Sequence, residues 1–358
     1  MIFPPISVEG AVVSLSSRHS NRLLVVSSTG QSHIISSHEA SEQPIDVKTF
    51  VDVPSPDEFP IAASFNRSGD EYCVITSLSR MLTRGEHSGG IVGVSVHDRV
   101  HPRSDEAWVL QDCPVSLEPL YDQAANCSLI GFGRGAVVWD DRTSSVTWGT
   151  APLPSPQNDD RGYEPRLIGA VSVQGPVVVS ATFDGFVLSY DVRAATKTPF
   201  SVAQIENDTL CCVSAQGQAR SVVLGGALGK AYNCRVTHSP NIEQCISTGS
   251  VRSLIRCVAS HSQQIFCGHI DGRISALSTV DGDSHANTTV ASLSGFVGHH
   301  RHASVGEGRS STEAAGVTVP AICATEEMMW AAFSTLDSEA STIVGVAAHN
   351  STGIVSLA

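Results

Sequence analysis

"VVVSATFDGFVLSYDVR", residues 177–193, is the stretch whose reading decides the fold. An apolar run ends in the small residues Ser180 and Ala181. A tight turn carrying Asp184 and Gly185 follows, and a second run alternates apolar and polar residues before closing on Tyr190-Asp191. Asp-Gly is a favoured dipeptide where a two-residue hairpin turn needs positive φ. The stretch therefore reads as a β-hairpin, either solitary or one copy of a repeat.

Three other stretches share its grammar: "CSLIGFGRGAVVWDDRT" (127–143), "SVVLGGALGKAYNCRVT" (221–237) and "QIFCGHIDGRISALSTV" (264–280). Their turn glycines, Gly135, Gly185, Gly229 and Gly272, lie 50, 44 and 43 residues apart. That period is too long for a hairpin and matches a four-stranded propeller blade. Upstream of the turns, "LIGAVSV" (167–173), "TLCCVSA" (209–215) and "SLIRCVA" (253–259) read as inner strands around a channel, and "TPFSVAQ" (198–204) as an outer strand. "AVVSLSS" with "RLLVVSSTGQSHIIS" makes a first unit near 11–51. "PIAASFN", "EYCVITS" and "GGIVGVSVHD" make a second near 60–110, with "LSRMLTRGEHS" (78–88) as a polar loop between its second and third strands. "VSLEPLY" opens the third, and "VPAICAT", "MMWAAFS" and "STIVGVAAH" make the last, near 318–349. The expectation is an all-β chain: one β-propeller over residues 1–358 with seven four-stranded blades. "VGHHRHASVGEGRSSTEAAG" (297–316) reads as a flexible insertion before the last blade, and "LPSPQNDDRGYEP" (153–165) as an inter-blade loop. To close the ring, N-terminal "IFPPISV" and C-terminal "TGIVSLA" compete for the outer edge of the last blade, where Pro4-Pro5 is tolerated.

With 358 residues, 41% hydrophobic and 16% charged, the chain has apolar material for a sizeable core. A net charge of −13 argues against general nucleic-acid binding and against docking to anionic membranes. The ten cysteines form no C-x-x-C pair, and several sit in apolar runs. They read as reduced thiols of a cytoplasmic or nuclear protein. "MIFPPISVEG" lacks the pattern of a signal peptide, and no run approaches 18 apolar residues.

The chain resembles the WD-repeat β-propeller family on "VVWDDRT" (Val137–Thr143) and "LSYDVR" (Leu188–Arg193), each placed after a glycine-bearing turn. Trp139-Asp140 matches the family's Trp-Asp pair, and Tyr190-Asp191 is similar to a common variant of it. Asp184 and Asp271 match the turn aspartate, and Gly298-His299 resembles the Gly-His pair that precedes a blade. The pattern departs in blade five ("YNCR", Tyr232–Arg235) and blade six ("ALST"). No unit carries the full Asp-His-Ser/Thr-Trp hydrogen-bond set. The resemblance implies a non-enzymatic scaffold subunit of a eukaryotic multiprotein complex, whose protein partners dock peptides or helical segments on the faces of a rigid disc. Two alternatives within the family are a hydrolase resembling the methylesterase of the diphthamide pathway, and a phosphoinositide-binding propeller. The paired-arginine Phe-Arg-Arg-Gly signature of the latter is missing.

No cofactor, metal ligand or catalytic residue is expected. His299, His300 and His302 of "GHHRH" sit in a polar Gly/Ser-rich stretch and read as a solvated loop. "GFGRG" (131–135) lacks the G-K-[ST] ending of a phosphate loop, and there is no G-x-S-x-G elbow. Asp140, Asp184 and Asp271 read as turn formers. With Gly185, Tyr190, Asp191, Gly272, Trp139 and Gly229 they mark blade architecture. Trp108, Trp139, Trp148 and Trp330 read as blade core. Of these Trp148, beside a loop, is the best candidate for an exposed anchor to a partner, and Arg134 is a candidate contact.

Overall fold

The computed structural model describes residues 5–347 apart from 18–21, 38–44, 54, 67–68, 70, 86–90, 121–126, 154–165, 174–175, 216–220, 237–240, 248–252, 262–263, 279–287, 293–316, 325–327 and 336–339. Seven antiparallel four-stranded sheets form an all-β propeller. The inner strands are Val12–Ser17, Pro60–Phe65, Pro114–Pro119, Leu167–Ser172, Leu210–Ala215, Ile255–His261 and Val317–Ala324, for blades one to seven. Each touches the next, and the last touches the first, so the ring is closed. The stretches 153–165 and 297–316 lie almost wholly outside the described residues.

The second and third strands are buried on both sides because each blade is covered by two neighbours. Val177–Thr182, Gly135–Asp140 and Ser221–Gly226 are buried almost throughout. Seven hydrophobic clusters result, one at each junction between blades. Continuous apolar runs in the sequence follow from this double burial, since neither side of the strand meets water.

Every inner strand also carries a register shift near its start: at Val12/Ser14, Pro60/Ala62, Pro114/Ser116, Leu167/Gly169, Leu210/Cys212, Ile255/Cys257 and Thr318/Ala321. A bulge bends the strand and re-aims one side chain. Here a small residue after the bulge faces the next blade. Ser14 Oγ donates to Ala63 O at 3.0 Å, the Ala170 N–H donates to Ser116 Oγ at 3.0 Å, and Cys257 Sγ donates to Val319 O at 3.4 Å. Space beside these side chains is tight. A Cβ added at Gly268 would approach Cys257 Sγ to 2.5 Å, and one at Gly225 would approach Cys212 Sγ to 2.6 Å.

The N-terminal segment closes the ring. Ile6–Glu9 pairs with the third strand of blade seven, with Ile6 opposite Ile343 and Glu9 opposite Ala340. Residues 352–358 lie outside the described residues. The buried Ser341 hydroxyl ties the seam: it accepts the Val12 N–H (3.1 Å) and donates to Gly10 O (2.8 Å).

One sequence expectation is corrected. The polar stretch 78–88 is not a loop between the second and third strands of blade two. Arg80–Gly85 is itself the third strand, and Ile91–Ser95 is the outer one. Its arginines mislead because their partners come from the preceding loop. Arg84 pairs with buried Asp52 (2.8 Å) and stacks over Phe50, and Arg80 pairs with buried Glu58 (2.8 Å). Between them Met81 and Leu82 are buried.

Candidate functional site

Antiparallel blades place two kinds of connection on one face of the disc: the turns between second and third strands, and the loops that enter each inner strand. The residues singled out in the sequence distribute around this architecture. Gly185, Gly229 and Gly272 have φ of +93°, +76° and +79° in the turns of blades four, five and six. A Cβ at Gly185 would overlap the Ile205 carbonyl oxygen, to which the turn is held by an Ile205 N–H bond to Gly185 O at 2.9 Å. Asp184 is exposed, and Thr182 closes the turn instead: its carbonyl accepts the Gly185 N–H at 3.1 Å and its Oγ1 accepts the Phe186 N–H at 3.0 Å.

Asp140, Asp191 and Asp271 share a different geometry. Each takes a fork from the arginine two residues on. Arg142 gives Asp140 bonds of 2.9, 3.3 and 3.1 Å, and Arg193 gives Asp191 bonds of 2.9, 3.1 and 2.8 Å. Arg273 binds Asp271 through its N–H (3.3 Å) and Nε (2.8 Å). The arginine hydrogen bonds hold the Asp140 and Asp191 carboxyls below the ordinary value. At Asp271 burial opposes ionisation, but the Arg273 and Ser253 hydrogen bonds outweigh it.

Trp139 is buried at the junction of blades two and three. Tyr190 is buried and meets Trp148 edge-to-face, with ring centroids 6.2 Å apart, and burial pushes its phenol up to about 12. Trp148 is therefore not at the surface: its ring belongs to the cluster between blades three and four, because the outer strand Ser145–Gly149 turns it inward. Arg134 is half-buried in the turn of blade three, with its carbonyl accepting the Leu153 N–H.

The structure adds residues that the sequence reading passed over. Loops entering the inner strands carry acids that brace the neighbouring turns. Asp208 accepts the Thr209 and Leu228 N–H groups (2.8 and 3.1 Å) and the Tyr232 hydroxyl (2.8 Å). Glu58 accepts from Thr76 and Arg80, and Asp112 accepts the Arg134 N–H. These bonds rigidify the face. On it stand Phe59, Leu78, Phe183, Leu228 and Ile270, each between 42% and 56% exposed. Four of the five occupy tips of tight turns, where polar residues would be expected. That anomaly was present in "SLS", "FDG", "ALG" and "IDG". Between the turns of blades four and five a groove of about 540 Å³ is lined by Asp184, Gln204, Glu206, Asn207, Asp208 and Leu228, among others.

The central channel is different in character. Inner strands of six blades line a cavity of about 420 Å³ that contains Ser16, Ser64, Glu118, Ser214, Ser260 and His261. Several hydroxyls are committed to the backbone of an adjacent blade: Ser16 Oγ accepts the Phe65 N–H (3.3 Å), and Ser260 Oγ donates to Ala215 O (3.1 Å). Glu118 is half-buried, and desolvation pushes its carboxyl up to about 7.

A serine–histidine pair does exist. His269 Nε2 lies 2.8 Å from Ser275 Oγ, and Nδ1 lies 3.2 Å from Ser253 O. Both side chains are buried inside blade six. Burial also pushes Cys257 and Cys323 up to about 12 and Cys212 well above its ordinary value, which favours the protonated thiols. Among the described residues no group of three or more His, Cys, Asp or Glu is arranged to hold a metal ion, and no helix is long and apolar enough to cross a membrane.

No family model matches the chain, and no curated protein sequence matches it.

Proposed function

We propose that the protein is a non-enzymatic, WD-repeat-type interaction scaffold, and that partner proteins dock on the face bearing the turns. The observation that carries this reading is the set of exposed apolar side chains, Phe59, Leu78, Phe183, Leu228 and Ile270, spread over four blades of one face and held by a braced backbone. Scattered apolar residues at a surface need no explanation, but a set presented by equivalent turns does. The Asp-Arg forks after Trp139 and Tyr190 support the WD-repeat assignment. The hydrolase reading finds no support in the one Ser–His pair described, because that pair is enclosed.

Zero-length crosslinking of carboxylates to lysines in a native assembly tests the proposal. Partner lysines should couple to Asp184, Glu206 and Asp271 on this face. Coupling confined to rim acids such as Asp46 would refute it.

A further inference from the structure

We propose that the groove between the turns of blades four and five captures a short extended protein segment in which Lys or Arg alternates with apolar residues. The inference rests on the docking role of the face and names the partner's chemistry.

The groove has fixed walls. Asp208 ties the loop entering blade five to the Leu228 turn and to Tyr232, and the Leu210 N–H donates to Phe183 O at 3.2 Å. Asn207 sits at φ +62°, so its loop is held in a left-handed bend. Asp208 is committed to this bracing, but Asp184 and Glu206 are not. Both are exposed, and among the described residues neither has a hydrogen-bond or ion-pair partner. No Lys or Arg lines the groove. Exposed Leu228 lies in it, and exposed Phe183 precedes Asp184 at its edge.

Two uncommitted carboxylates beside two exposed apolar side chains define the complement. Because Asp184 and Glu206 line one groove, a guanidinium or ammonium entering it is attracted by both, and a neighbouring apolar side chain covers Leu228 or Phe183. The volume is that of a pocket for a few side chains. The net charge of −13 steers a basic segment toward the disc, and the groove then fixes where it lands.

The test uses the full chain and a fluorescein-labelled peptide of alternating Arg and Leu, with its Glu-Leu counterpart, read by anisotropy. The Arg-Leu peptide should bind and the Glu-Leu peptide should not. Asp184→Lys with Glu206→Lys should weaken binding about tenfold or more, and Asp184→Asn with Glu206→Gln should weaken it in the same direction. A control of equal charge change, Asp46→Lys with Asp98→Lys, should stay within about twofold. Equal weakening by both lysine pairs would show diffuse attraction and overturn the groove, as would equal binding of the two peptides. Capture of native partners separates the two readings. If it survives Asp184→Lys/Glu206→Lys but not Phe59→Ser/Ile270→Ser, the groove fails and the face stands. If it survives both, the face fails as well.

Discussion

Gly185 shows how far a single position constrains a blade. Its φ of +93° and the overlap awaiting a Cβ make Gly185→Ala a change with no room to relax, since the obstacle is the Ile205 backbone. The expected loss is about 2–3 kcal/mol in urea unfolding, with the fold retained. Glu118 makes a different prediction. Its carboxyl is raised from 4.5 to about 7, so the folded state holds a proton that the unfolded chain releases. The favourable contribution of Glu118 is complete below pH 4.5 and is lost as pH rises through 7. Glu118→Gln should remove that slope and raise stability at pH 8 by about 1–2 kcal/mol, less than full linkage because the channel admits water. Chemical unfolding across this pH range reads it. Gly185, Gly229 and Gly272 were visible in the sequence because turn chemistry is local, whereas Gly135, picked on the same spacing, opens the third strand of blade three and has no positive φ. The loop acids were not: Asp208 and Glu58 are ordinary in sequence, and only partners more than fifteen residues away distinguish them.

Six inner strands bulge between their first and third residues, and that of blade seven slightly later. Where the residue after the bulge is Ser or Cys it bonds to the following blade; in blade four it is Gly169. The small residues there, Ser14, Ser116, Cys212 and Cys257, were readable as strand residues. Their common role was not, because a bulge leaves no period in the sequence. The third strand of blade two was missed for a related reason: Arg80 and Arg84 look solvated until Glu58 and Asp52 are placed beside them. At the seam, Ile6–Glu9 supplies only four residues to close the ring. Ser341 therefore matters more than its size suggests. Ser341→Ala would leave the Val12 N–H and Gly10 carbonyl without their partner, at a cost of about 1–3 kcal/mol. Hydrogen exchange should show faster exchange at Val12 and along Ile6–Glu9, with the sheet of blade four unchanged.

The molecule as a whole is seven similar interfaces closed into a ring, with one hydrophobic cluster at each. Blade number and strand order followed from the sequence period because every blade is buried on both sides and so repeats its apolar runs. The docking face did not follow from it. Exposed Phe183 and Ile270 sat unremarked inside the turn stretches. The core reading of Trp148 holds while its candidacy as an exposed anchor fails, because the outer strand of its blade turns it inward. The most direct test replaces Phe59, Leu78, Phe183, Leu228 and Ile270 with serine together. Wild-type and variant chains are purified gently from the native source and sized with their partners identified by mass spectrometry. The wild type should elute in a larger assembly with stoichiometric partners, and the variant should elute as a monomer with an unchanged melting curve. A wild type that is itself a free monomer, or a variant that keeps every partner, would contradict docking on this face.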